Sequence, residues 1–216
     1  MKWLLLAFPL FMLMTVSATA APGGAQNSCP DPFGGASLAF TTSYWERTDF
    51  CQRSVEWDEI RSGGPPPDGI PPLDDPQFEP VTASGEWLAP QSPVIALVVD
   101  GEARAYPLAI LIWHEIANDQ IGGIPVAVTY CPLCNSALVF DRRVDGQTLR
   151  FGVSGNLRNS DMIMWDDVTQ SWWQQFTGEG IVGTYTGVEL TLLPSQIVSF
   201  GAFAAASWCR HLSKRN

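Results

Sequence analysis

The sequence is almost without lysine. Between Ala21 and Trp208 there is none, and eight arginines stand against all 22 acidic residues, a balance of −14. A body so short of cations excludes a general nucleic-acid binder, whose affinity comes mainly from Lys and Arg on phosphates. No Gly-rich phosphate loop is present, neither the P-loop nor the dinucleotide form, which removes the commonest nucleotide enzymes. Histidine is scarce: before the terminal segment there is only His114. Nor is there an apolar run of the roughly 20 residues that a membrane-spanning helix needs.

What is present begins with an address. Lys2 precedes an apolar run from Trp3 to Val16, and Ala18 and Ala20 supply the small residues of a signal-peptidase site. Residues 1–20 are therefore read as a signal peptide cut before Ala21. A retained N-terminal anchor is the alternative, disfavoured by the shortness of the run. The mature chain is expected to be exported, periplasmic or extracellular, with no stable span, and its acidic surface suits solubility there. The 216 residues of the whole sequence suffice for one domain with a packed core.

Along the mature chain, residues 21–92 read as an N-terminal arm packed on the domain. Nine of the 17 prolines lie between residues 63 and 93, which excludes a helix and disfavours a central strand there, because each Pro fixes φ and lacks an N–H. Residues 93–203 read as the β-rich core domain. The continuous apolar run Val94–Val99 suits a fully buried strand, and Asp100-Gly101 signals a hairpin returning over Ala103–Tyr106. Pro107 opens a short helix over Leu108–Ala117, apolar almost all round and hence expected to be buried. Short strands follow over 125–130, 136–141, 148–154, 162–165, 171–176, 181–186 and 188–193. The fold class is α+β, mostly antiparallel β as a sandwich or partly open barrel, with one short buried helix and a Pro-rich extended N-terminal arm.

Cys131-Pro132-Leu133-Cys134 is the most distinctive chemical feature. Two thiols at this spacing close a disulfide, lower one another's pKa or grip a metal. His114 is the natural third group, and Met162 and Met164 would extend the set toward copper, or toward zinc if they stay out. The bland readings are a stapling disulfide, a hydrogen-bonded core histidine and methionines that fill the core. Cys29 and Cys51 suit a structural disulfide in an exported protein, leaving Cys209 over. A second group, Asn135, Arg158, Asp161 and Trp172, offers a site for a small anionic ligand or a sugar, Arg158 through its bidentate fork. Its bland reading is an Asn/Ser turn and an aromatic core pair.

Several blocks carry a family resemblance: Ala105-Tyr106-Pro107-Leu108, Trp113-His114-Glu115-Ile116, Thr129-Tyr130-Cys131-Pro132-Leu133-Cys134-Asn135, Leu157-Arg158-Asn159-Ser160-Asp161 and Ser171-Trp172-Trp173-Gln174-Gln175. From about Arg53 to Phe200 the chain resembles the prokaryotic domain of unknown function numbered 3179. The resemblance implies an exported or membrane-associated protein and brings no established activity. It places His114, Cys131, Cys134, Asn135, Arg158, Asp161 and Trp172 inside the signature blocks. The chain departs from the pattern after Phe203, where residues 204–216 form an atypical basic tail, as a truncated or frameshifted copy would. Three functions are therefore carried forward: a metal or thiol-redox site, a small-ligand module or enzyme around Arg158, Asp161 and Trp172, and a scaffold with a stapling disulfide.

Overall fold

A computed structural model describes residues 29–206. The signal-peptide reading and most of the basic tail, Cys209 included, lie outside them. The chain divides after Pro30 into two units, and the architecture below is that of the second, from Asp31 onward.

In chain order, β1 (Ile60–Ser62) is followed in the Pro-rich stretch by β2 (Leu73–Asp74) and one helical turn, α1 (Val81–Ser84). Next come the hairpin β3 (Pro93–Val99) and β4 (Glu102–Pro107) and the helix α2 (Leu108–His114). A meander follows, of β5 (Ile116–Ile121), β6 (Ile124–Cys131) and β7 (Ser136–Asp141). A small hairpin, β8 (Arg143–Val144) and β9 (Gln147–Thr148), leads to a second meander: β10 (Phe151–Arg158), β11 (Asp161–Asp166), β12 (Trp172–Gln174) and β13 (Gly180–Val182). β14 (Leu192–Leu193), β15 (Ser195–Ser199) and α3 (Phe200–Ala205) close the described chain.

Apart from the small hairpin, three sheets form, ordered β1-β10-β11-β12-β13, β14-β7-β6-β5-β2 and β15-β3-β4. Their pairings are antiparallel except β2 on β5. The second sheet is the central layer. One face of β6 sends Ala127 and Cys131 against Phe151, Met162, Met164 and Trp173 of the first sheet. The other sends Val126, Val128 and Tyr130 against Ile95 and Leu97 of β3 and Leu108 and Leu111 of α2. The outer face of the first sheet is sealed by aromatics from the N-terminal segment, Phe40, Trp45 and Trp57, packed on Ile163 and Trp172. The outer face of β3, Val94 and Ala96, is covered by Leu88, Phe200 and Phe203. The strand period of two thus explains why β3 and β6 read as nearly continuous apolar runs: both their faces are buried over Val94–Leu97 and Val126–Cys131.

The expected class, mostly antiparallel β with few helices, is what the chain adopts. Several local expectations need correction. The strands expected over 181–186 and 188–193 shorten to Gly180–Val182 and Leu192–Leu193 and belong to different sheets. The helix ends at His114, not Ala117, because Glu115 takes φ +59° and turns the chain into β5. It buries only Leu108 and Leu111, leaving Ile112 and Trp113 exposed, so apolar composition all round did not mean burial all round. The Pro-rich stretch does carry one helical turn, between Pro80 and Pro90, where no further proline interrupts the backbone hydrogen bonds. Its strand, β2, is at a sheet edge, where proline-rich chain is tolerated.

Candidate functional site

Two hairpin tips from different sheets meet at the C-x-x-C. In the central sheet, Cys131 is the last residue of β6 and pairs with Ser136, the first of β7. The loop between them therefore holds Cys134. Asn135 closes it with φ +50°, and its Oδ1 accepts a hydrogen bond from the Tyr130 hydroxyl at 3.1 Å. The alternation of β6 puts the Cys131 side chain on the same face as Ala127, buried between the sheets, whereas Cys134 is exposed. Both are free thiols.

The second tip joins β10 to β11. Arg158 pairs with Asp161 across a two-residue turn, Asn159-Ser160, with φ of +52° and +67°. Positive φ at both central residues is the type I′ pattern that matches strand twist, and Asn suits it. This turn carries the Ser160 carbonyl and the Asp161 carboxylate to the thiols. Cys134 Sγ donates to Asp161 Oδ1 at 3.2 Å and lies 3.0 Å from Ser136 Oγ. The two sulfurs and a carboxylate oxygen all lie within 4.8 Å of one another.

The surroundings fix these groups without neutralising them. Asp161 is buried, and its Oδ2 accepts from Gln174 Nε2 and from the Phe176 N–H at 2.9 Å. Ser136 donates to Gln175 Oε1 at 2.6 Å, Gln175 donates to Thr129 Oγ1 at 2.8 Å, and Thr129 donates to the Leu138 carbonyl at 2.8 Å. Gln175 and Thr129 are fully buried, so this chain of hydrogen bonds holds the hairpin rigidly. Burial, and then the hydrogen bond with Cys134, pushes the Cys131 thiol up to about 12. Among the described residues, no cationic side chain hydrogen-bonds either sulfur or Asp161.

The remaining residues singled out in the sequence divide sharply. His114 does not join the thiols; its Nδ1–H donates to the Pro71 carbonyl at 2.8 Å, tying α2 to the Pro-rich segment. Asp161 takes the third position instead. Met162 and Met164 are buried between the two sheets as core. Arg158 forms an ion pair with Glu59 at 2.6 Å and reaches Gln174 Oε1 at 3.4 Å, so its fork is occupied from within the protein. Trp172 is fully buried, with its ring edge-on to Phe40, Trp45 and Phe50 at 5.3–5.6 Å, and offers no face to a ligand. Cys29 and Cys51 are both disulfide-bonded.

Two thiols and a carboxylate, open on the Cys134 side, are a set of donors that could hold a tetrahedral ion. Zn–S and Zn–O bonds of about 2.3 and 2.0–2.2 Å place tetrahedral donors roughly 3.4–3.8 Å apart, a spacing close to the 3.2 Å between Cys134 Sγ and Asp161 Oδ1 and within the 4.8 Å that encloses all three donors. Sequence reasoning had Asp161 in a different group. The available signal was its position directly after an Asn-Ser turn, but nothing local says which hairpin that turn meets.

A family model described as "Protein of unknown function (DUF3179)" matches residues 67–207. No curated protein and no solved structure matches the chain.

Proposed function

Because the chain belongs to the family of proteins of unknown function DUF3179, its activity has to be read from its own side chains, and we propose that it is an exported metal-binding domain holding zinc through Cys131, Cys134 and Asp161. The observation that carries this reading is the convergence of three groups that become anionic donors, with no protein cation bonded to any of them among the described residues. A divalent ion supplies the missing charge. The carboxylate favours zinc over copper(I), which selects soft ligands. Three protein ligands leave a fourth position for water or a substrate, the arrangement of catalytic rather than structural zinc sites. Export is supported by the disulfide-bonded Cys29 and Cys51, which suit an oxidising compartment. No helix among the described residues is long and apolar enough to cross a membrane.

The closeness of the sulfurs favours one second reading, a thiol pair that oxidises reversibly to a disulfide. Against it, burial outweighs the backbone N–H groups of Cys134 and Met162 that favour the Cys131 thiolate, and among the described residues no cationic side chain hydrogen-bonds its sulfur, as activation of a cysteine requires. The anionic-ligand reading is weakened by the commitment of Arg158 to Glu59.

Zinc titration of the anaerobically purified, reduced chain against a chromophoric chelator tests the proposal. One zinc per chain is expected, with Cys131→Ser and Cys134→Ser each weakening binding by at least ~100-fold, above the 10–100-fold of a supporting residue. Undiminished binding in both variants, or none by the reduced wild type, overturns it. Reversible loss of two thiols in glutathione disulfide without zinc binding would establish the redox reading. Lower stability in the Ser variants with no ligand at all would leave a scaffold.

A further inference from the structure

A second feature lies on another sheet. β4 is the last strand in the order β15-β3-β4, and among the described residues no strand pairs with its outer edge. A cleft of about 880 Å³ follows that edge, and every residue of β4 from Glu102 to Pro107 lines it. Successive side chains of a strand point to opposite faces, so a cavity touching all six lies beside the strand rather than over one face of it. The volume is in the range of about 300–1,000 Å³ typical of binding clefts.

The flanks of the cleft are apolar on both sides of the strand. On one, Phe78 stands edge-on to Tyr106 at 5.4 Å. On the other, Leu88 and Phe203 pack with Ala103 and Ala105. Trp87 and Phe78 are each about half exposed, at 53% and 43%.

Unpaired edges are usually guarded by a projecting charge, a proline or a bulge. Here the one basic side chain is withdrawn. Arg104 is ion-paired to Glu102 and Asp119 at 2.6 and 2.5 Å, and its guanidinium lies 4.6 Å from the centre of the Phe78 ring. The rim outside that ion pair is acidic, with Asp100 and with Glu79, which accepts from Trp87 Nε1 at 2.6 Å, on the lining.

We propose that this cleft binds an extended peptide segment of a partner protein as an added strand on β4, apolar at alternate positions and carrying basic residues. An added strand fits both observations at once. The open N–H and C=O groups of β4 up to Tyr106 supply main-chain hydrogen bonds, Pro107 at its end offering only a carbonyl, and alternate side chains enter the two apolar flanks. A six-residue strand spans about 20 Å, so a segment of that length covers the edge. The acidic rim selects Lys or Arg over Asp or Glu. The site does not depend on the thiol cluster.

The test is selection of a displayed library of random heptapeptides on the full chain, followed by synthesis of the enriched sequence. Apolar residues at alternate positions together with Arg or Lys are expected. Binding of the synthetic peptide should weaken at least about tenfold in Trp87→Ala and in Phe78→Ala, whose exposure leaves the core intact, in line with the weight of aromatic anchors. Glu79→Lys should weaken it as well. N-methylation of alternate amides in the peptide should abolish binding to the wild type, an arm that needs no variant to fold. No enrichment, enrichment of acidic sequences, or equal binding of the N-methylated peptide overturns the proposal; the last would make the cleft a site for apolar molecules without strand pairing.

Discussion

Replacing Asp161 by Asn removes one charge at the thiol site and almost no volume. Asp161 Oδ1 accepts from Cys134 Sγ at 3.2 Å, while Oδ2 accepts from Gln174 Nε2 and from the Phe176 N–H. An asparagine with its carbonyl in the Oδ2 position keeps the last two bonds and turns its amide toward Cys134. The fold then loses mainly charge assistance. Hydrogen bonds to charged groups contribute about 1.5–3 kcal/mol and neutral ones about 0.5–1.5, so two weakened bonds give a destabilisation of about 2 kcal/mol. In a domain of this size that lowers the unfolding midpoint by roughly 4–8 °C. The metal should feel much more. A neutral amide is a poor zinc ligand, and a supporting residue alone changes affinity by about 10–100-fold, so loss of a direct ligand should cost at least ~100-fold, about 2.7 kcal/mol. The assay is thermal unfolding of the reduced chain with and without zinc, beside chelator competition. Zinc at 100 times its Kd should stabilise the wild type by about 2.7 kcal/mol and the variant hardly at all. A folded Asp161→Asn protein with wild-type zinc affinity would refute the role given to the carboxylate.

Zinc affinity should also fall with pH, by at least about tenfold per unit between pH 8 and 6, since the buried Cys131 thiol, pushed up to about 12, must lose its proton to bind; chelator competition at fixed ionic strength reads this, and a flat profile contradicts it. Burial raises the Glu115 carboxyl from an ordinary 4.5 to about 7. Between those values the unfolded chain binds fewer protons than the folded one, so stability is lost as pH rises through that window. In urea unfolding, Glu115→Gln should therefore gain on the wild type from pH 4 to pH 8, and a gain in the opposite direction would be inconsistent with a half-buried carboxylate that has no ion pair among the described residues. Trp172 Nε1 has no hydrogen-bond partner, whereas Trp173 Nε1 donates to Asp166 Oδ2 at 3.0 Å. Trp173→Phe should accordingly cost about 1–3 kcal/mol more than Trp172→Phe, measured by denaturant midpoints at equal slope. A Cβ on Gly155, at φ +77°, would lie 1.9 Å from the Pro65 carbonyl oxygen, so Gly155→Ala should cost roughly 3 kcal/mol or more. Gly101→Ala, also at positive φ but with open space around it, should cost only about 1 kcal/mol.

The parts of the fold that the sequence announces are those whose reasons are local. Val94–Leu97 reads as a buried strand because both its faces are covered, although the apolar run continues into the exposed Val98, and Asp100-Gly101 reads as a turn because both residues take positive φ. β5 escapes notice because its centre, Asn118-Asp119, is polar and yet buried. Its polar groups are satisfied from far along the chain: Asn118 by Asp74 and by both the N–H and the carbonyl of Phe151, Asp119 by Arg104 and Tyr106. A buried polar residue is tolerated where its partners are, and those partners lie outside any local window.

The same division runs through the site. Taken alone, the sequence determined the acidic, lysine-free body, the spacing of Cys131 and Cys134, the Asn159-Ser160 turn and the family, because each is a matter of composition or of neighbours in the chain. Only the tertiary structure decided that Asp161, and not His114, stands beside the thiols, that Arg158 is committed to Glu59, and that Trp172 is sealed in the core. The physical reason is register: the strand pairings carry two hairpin tips from different sheets to one place, so that Cys134 Sγ and Asp161 Oδ1, 27 residues apart, are 3.2 Å apart in space.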